Sequence, residues 1–240
     1  MKVVVVKNIL GHNDRRARAL RKKFESAGTL AVNLISSPGS GKTSLIEKLV
    51  PVLRKCGASV AVVEGDVATT NDAERVEAAG APAVQVTTSG ACHLDAAMVT
   101  AAVRKLGKLP DILFIENVGN LVCPAAFDVG ENERVVVISL PEGDDKPEKY
   151  PEAFSDASAM VVNKTDMRAA CRFKVARAVL AARSVNPRLA VIETSCRSGR
   201  GIGQLAEWLL ARREQRFGEK KPVKAGGKAK AGKKAPRKRK

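Results

Sequence analysis

Residues 30–35, Leu-Ala-Val-Asn-Leu-Ile, run without a break into Ser36-Ser37-Pro38-Gly39-Ser40-Gly41-Lys42-Thr43, and a helical run beginning at Ser44 follows at once. Strand, glycine-rich loop and helix in this register form the setting in which the pattern GxxxxGK[ST] binds phosphate. Gly39 and Gly41 let the backbone curl so that successive N–H groups, Ser40 and Ser44 among them, face one anion. The helix N-terminus adds its positive dipole end. Lys42 supplies a mobile charge to the outer phosphates, and the Thr43 hydroxyl is placed to ligate the magnesium that bridges them. Ser36 stands where the pattern has its first glycine, and a small residue still makes the turn.

Around this loop, apolar runs alternate with helical ones. Strands are expected at residues 59–64, 83–87, 112–118, 134–140, 159–162 and 189–192, and helices around Asp72–Arg75, at residues 93–106 and at residues 202–212. Apolar strands alternating with helices imply an α/β fold of the P-loop NTPase type, a mostly parallel central sheet with helices on both faces. Hydrophobic residues are 45% of the chain and aromatics only 3%, so the core is aliphatic. In such sheets ligands sit at the carboxyl ends of the strands, and each unusual polar motif falls at such an end.

Asn163-Lys164-Thr165-Asp166 follows a strand directly and matches the NKxD pattern of guanine-specific G proteins. The Asp166 carboxylate can accept from both the ring N–H and the exocyclic amine of guanine, a donor pair that adenine lacks. The Lys164 stem can lie across the base, and Asn163 can tie the base loop to the phosphate loop. Ser195 and Cys196, after the last strand, belong to a second loop whose backbone N–H groups suit the guanine oxygen. Asp66 and Glu116 close apolar strands beside the phosphate loop. They are the expected magnesium and water-orienting carboxylates, with Lys42 as the catalytic cation; Asp72 is a weaker candidate. No arginine finger is evident, so slow intrinsic turnover is expected.

The five cysteines are odd in number and scattered, which argues against a disulfide framework. Cys92 and His93 lie side by side, and Cys123-Pro124 follows thirty residues later, just past Glu116. Two thiols and an imidazole suit zinc, nickel or copper(I), and three donors leave a coordination position open to water or to a second copy of the chain. On residue types alone, a buried thiol and a hydrogen-bonded imidazole are the commoner use. Cys56 and Cys171 carry no such pattern.

Taken in order, SSPGSGKTS, EGDVATTNDAER, SGACHLDA, ENVGNLVCP, EGDDKPEKYP and NKTD resemble the HypB family, GTPases that help insert nickel into [NiFe]-hydrogenase. The resemblance spans residues 8–212. It implies a dimerising class of P-loop GTPase that uses GTP/GDP, Mg2+ and Ni2+ or Zn2+. It implies that Cys92, His93 and Cys123 are metal ligands at the interface of a GTP-promoted homodimer. Thr43, Asp66 and Glu116 then surround magnesium. A HypA-type nickel chaperone and the hydrogenase large-subunit complex are the implied partners. A urease-type accessory GTPase is the alternative reading; that family shares the G-protein motifs but not the ACHLDA and ENVGNLVCP segments. Some relatives carry an N-terminal Cys-rich motif or a His-rich storage run. No Cys precedes Cys56 here, which argues against nickel storage.

Net charge is +17, and eleven of those charges come from residues 220–240, which hold no acid. That Lys-, Ala- and Gly-rich tail is expected to be disordered. The organisation expected is an N-terminal extension of a short strand, Val3-Val4-Val5-Val6, and a helix over residues 1–28, a GTPase domain over 29–218 and a tail over 219–240. His12-Asn13-Asp14 is read as the cap of the extension's helix. The tail and that basic helix raise the alternative of a nucleic-acid-binding G protein. No aromatic residue interleaves the basic ones, and nucleic acid is not the expected partner. Apolar runs are too short to span a bilayer and no signal-peptide core is present, so a cytoplasmic protein is expected, with no membrane partner.

Overall fold

The computed structural model describes residues 7–66, 71–88 and 90–218. The Val3–Val6 strand and the basic tail of the sequence reading lie outside the described residues. At the centre stands β1 (Leu30–Ser36), paired in parallel with β4 (Ile112–Glu116) on one side and β5 (Glu133–Ser139) on the other. Beyond β4 come β2 (Val60–Asp66) and β3 (Ala83–Thr87). Beyond β5 come β6 (Ala159–Asn163) and β7 (Ala190–Glu193), giving the order β3-β2-β4-β1-β5-β6-β7. All the pairings are parallel. The chain leaves β1 toward one half of the sheet and later returns to build the other. The carboxyl end of β1 is therefore a topological switch point, where open α/β sheets bind ligands.

Alternate residues of each strand face opposite layers. Leu30, Val32, Leu34, Val62, Phe114 and Val135 face α2 (Lys42–Lys55) and α9 (Ile202–Phe217), meeting Leu45, Leu49, Leu205 and Leu209. Ala31, Val63, Leu113 and Ile115 face α1 (Lys7–Ala27) and α4 (Ala96–Leu106), meeting Leu20, Phe24, Val99 and Val103. Farther along this second face, Val136, Ile138, Met160 and Val162 pack on α7 (Pro151–Ser155) and α8 (Val175–Val185). Between lie α3 (Asn71–Ala78), α5 (Cys123–Ala126) and α6 (Lys146–Lys149). Among the described residues, no helix is long and apolar enough to cross a membrane.

Three expectations are corrected. His12-Asn13-Asp14 does not cap α1, which starts at Lys7 and passes straight through it. Asn13 is buried and spends its amide on other elements: Nδ2 donates to Asp128 O at 2.8 Å, and Oδ1 accepts from Ala96 N at 2.9 Å. Second, α4 begins at Ala96 and not at His93. Asp95 caps it, its carboxylate accepting from Met98 N at 2.7 Å. Cys92, His93 and Leu94 therefore lie in the turn before the helix. Third, α9 continues five residues past Arg212, where Arg212 meets the buried Glu133 of β5.

Candidate functional site

The loop after β1 has the curl expected of it. Gly39 and Gly41 take φ of 76° and 93°, a region that disfavours side chains. At Gly41 a Cβ would also come within 2.7 Å of Asn163 Nδ2. That closeness reflects a hydrogen bond: Asn163 Nδ2 donates to Ser40 O at 2.9 Å, tying the end of β6 to the phosphate loop. Lys164, at φ 59°, donates from Nζ to Gly39 O at 2.6 Å. Thr194 Oγ1 donates to Asn163 Oδ1 at 3.1 Å, and the Cys196 thiol approaches the same oxygen at 3.6 Å. The Cys196 side chain, and not only its backbone, therefore faces the base-loop asparagine. Ser195 Oγ donates to Asp166 Oδ1 at 2.5 Å and holds that exposed carboxylate below the usual range. Ser36, in place of the pattern's first glycine, receives the Lys42 ammonium at 3.0 Å. The lysine therefore has a neutral resting partner. A cavity of about 540 Å³ opens here, lined by Lys42, Thr43, Asp66, Glu116 and Lys164 among others.

Thr43 Oγ1 donates to Glu116 Oε1 at 2.8 Å. Glu116 is flanked by Glu64, a residue the sequence reading passed over. The two are directly opposite in the β2–β4 register, and both are buried. Burial and the nearby Glu116 push the Glu64 carboxyl up to about 11, and burial likewise raises Glu116. Oε2 of each has no hydrogen-bond partner. Two clustered carboxyls with spare buried oxygens beside a threonine hydroxyl form a donor set that fits a hard, oxygen-binding cation such as magnesium. Asp66 lies at the end of β2 on the same cavity. Asp72 also lines it and pairs with Arg75 at 2.8 Å. Arg75, also missed, reaches the cavity wall but is tied to Ser44 Oγ at 3.0 Å and to both oxygens of Glu47. The signal for Glu64 was present: an acid directly after the apolar run Val60-Ala61-Val62-Val63 and two residues before Asp66.

Cys92, His93 and Cys123 converge, with ligand atoms all within 4.8 Å of one another. Cys92 Sγ lies 3.7 Å from His93 Nδ1. Interaction with the Cys123 thiol raises the Cys92 thiol, and burial lowers the His93 imidazole, so both rest neutral at pH 7. The imidazole stacks on Phe127, with ring centroids 3.8 Å apart and planes at 28°. Soft sulfur and borderline nitrogen donors at this spacing fit nickel or zinc. Both ligand-bearing loops are held from outside by one residue. Asn13 bonds Ala96 N, just past His93, and Asp128 O, just past Phe127. Arg21 adds a bond to the Asp128 carboxylate at 2.6 Å. The Cys123 loop also leans on the phosphate loop. Asn120 forms an isolated backbone bridge with Ser36, and a Cβ on Gly119 would sit 2.9 Å from Pro38 Cα.

The profile of the family described as CobW/HypB/UreG, nucleotide-binding domain, matches residues 30–193. The hydrogenase maturation factor HypB of Azotobacter vinelandii is 48% identical over 214 residues, covering 89% of this chain and 70% of that protein. Two solved structures superpose closely. HypB from Archaeoglobus fulgidus gives a TM-score of 0.79 at 39% identity, covering 85% of this chain and 100% of that one. HypB from Helicobacter pylori, solved in complex with nickel, gives 0.82 at 34%, covering 88% and 100%. With the parallel sheet, the phosphate loop and the sulfur–imidazole cluster in place, these matches lead to one conclusion: the chain belongs to the HypB family, within the CobW/HypB/UreG nucleotide-binding class.

Proposed function

We propose that this chain hydrolyses GTP to GDP and phosphate, slowly when alone, and uses its nucleotide state to set how tightly Cys92, His93 and Cys123 hold nickel during [NiFe]-hydrogenase maturation. Guanine is selected by Asp166, whose lowered pKa keeps it an acceptor for the two guanine donors. Phosphates enter the curl of Gly39–Thr43, and Lys42 leaves Ser36 to follow them. Thr43, Asp66 and Glu116 are the residues that would hold magnesium, which supplies neutralisation of charge on the β- and γ-phosphates. Thr43 and Glu116 bond each other in the structure, so turning both toward a cation requires that bond to open. Slow turnover follows from the ties on Arg75, which aim it at Glu47 and Asp72 rather than at a phosphate.

The observation that carries the reading is a single stretch of chain. Residues 116–123 begin at the carboxylate bonded to Thr43 and end at a thiol of the cluster. A rearrangement at Glu116 is passed along that stretch to Cys123 and changes its distance from Cys92 and His93. Nickel is the cargo of this cycle. The name of the A. vinelandii relative, a hydrogenase maturation factor, and the nickel complex of the H. pylori relative support that assignment.

Three donors leave a fourth position. Cys92 is exposed, and Val122, 56% exposed, stands beside Cys123. A GTP-promoted homodimer that joins two such faces across a two-fold axis covers that apolar residue and brings two clusters together. A HypA-type chaperone and the hydrogenase large-subunit complex are the proposed donor and recipient of the metal.

Cys123→Ala tests the assignment. The variant should lose nickel and zinc affinity by more than the roughly 10–100-fold that follows loss of a group merely orienting a ligand, and should bind GTP analogues as the parent does. Unchanged metal affinity in competition with a chromophoric chelator would refute it.

A further inference from the structure

The stretch from Glu116 to Cys123 reaches only one of the three metal donors. A second contact leads to the other two. The last residues of β2 and β4 alternate faces, so Glu64 and Glu116 point into the nucleotide side of the sheet while Gly65 and Asn117 serve the opposite side. On that opposite side lies Leu94, fully buried and next in sequence to His93. Asn117 Oδ1 accepts from Leu94 N at 2.9 Å and also from Val118 N at 3.0 Å. One carboxamide oxygen therefore grips the Cys92–His93 turn and the start of the Cys123 stretch together. Its Nδ2 donates to Asn33 on β1 at 3.3 Å, which anchors it to the central strand. The Leu94 side chain in turn lies flat on Gly65. A Cβ there would meet Leu94 Cδ1 and Cγ at 2.7 Å.

We propose that the Asn117 carboxamide and the Leu94–Gly65 contact form the route by which the nucleotide site governs Cys92 and His93. This rests on the reading of the cluster as a nickel site under nucleotide control, and it names the residues that carry the control. The argument is mechanical. Glu116 and Asn117 are consecutive, and so are Glu64 and Gly65. When the carboxylates turn to a cation on one face, the peptide units beside them move, and their neighbours on the other face move with them. A close-packed contact with no spare space transmits such a shift and does not absorb it. Leu94 is pushed by Gly65 and pulled by Asn117, and His93 is the next residue. Asn117 makes the response concerted, because both arms of the cluster share its oxygen.

The test reads the linkage from the nucleotide side, since coupling between two binding sites is reciprocal. The affinity of full-length protein for a non-hydrolysable GTP analogue is measured with and without nickel, in the parent, Leu94→Ala and Asn117→Ala. The parent ratio is expected within the roughly 5–150-fold span of measured couplings. In both variants it falls to within about twofold of one, measured at nickel concentrations that saturate each variant in the absence of nucleotide. Variants that keep the parent ratio overturn this route and leave the proposed function standing. A parent ratio of one overturns both. Either buried variant can fail to fold, so a second measurement uses the unaltered chain. Hydrogen exchange at the Leu94 amide should change by at least about tenfold between the GDP and analogue states. Equal protection in the two states overturns the route.

Discussion

The phosphate loop and the sulfur–imidazole cluster stand at the same end of the sheet, yet they are assembled by different means. Eight consecutive residues make the loop, and its groups are backbone N–H donors whose direction is set by two glycines with positive φ. Two loops thirty residues apart make the cluster, and side-chain amides from α1 and from the end of β4 hold them in place. The first site is therefore sensitive to changes within itself. The second is exposed to changes far away in sequence, and the proposed nucleotide control would act through that same dependence.

Three variants press on this contrast. The largest effect is expected from Asn13→Ala. It leaves Asp128 O and Ala96 N without their partner and loosens both ligand-bearing loops. Nickel affinity should fall roughly 10–100-fold, the range seen when a group that orients metal ligands is lost, with GTP-analogue affinity unchanged. Isothermal titration of both ligands decides it, and a parallel fall in nucleotide affinity would erase the distinction between the two sites.

Glu64→Gln probes the nucleotide side through pH. Burial and the neighbouring Glu116 push the Glu64 carboxyl up to about 11 in the folded, ligand-free chain, against an ordinary value of 4.5. The folded state binds more protons than the unfolded one between those values, so the stability that Glu64 contributes is full below pH 4.5 and falls as pH rises through the window. The glutamine variant, neutral throughout, should gain on the parent by about 1.4 kcal/mol for each pH unit above about 4.5, and the gain should vanish below that pH. Urea melts across pH in the absence of magnesium give the comparison; an equal difference at all pH values would show that Glu64 carries no extra proton. Phe127→Leu is the mildest. Stacking of this kind is worth about 0.5–1.5 kcal/mol, so nickel affinity should drop roughly two- to twelvefold, and Phe127→Tyr should restore it. A full-strength site in the leucine variant would mean that the ring does not steady His93.

The same contrast explains what could be read from the sequence. The phosphate loop and Asn163-Lys164-Thr165-Asp166 are contiguous, and their roles follow from local backbone chemistry. The sheet's strands were visible because parallel strands covered on both faces are mostly apolar. The cluster was visible as residue types, but its convergence came from family resemblance. Asn13, Asn117 and Phe127 were not visible as site residues. Asn13's partners are 83 and 115 residues away, and nothing near Asn13 marks it. Sequence alone reads it as a helix cap, a use its chemistry equally allows, while Asp95 performs that task for α4. Helix α8 went unread because it buries little beyond Ala178 and Ala182, too weak a stripe to set a period.

The central claim is that nickel and nucleotide affect each other's binding. The most direct measurement is the equilibrium nickel affinity of the unaltered chain, loaded first with GDP and then with a non-hydrolysable GTP analogue. A difference of at least about fivefold between the two states is predicted. Identical affinities would contradict it and leave two neighbouring sites that share an edge and nothing more.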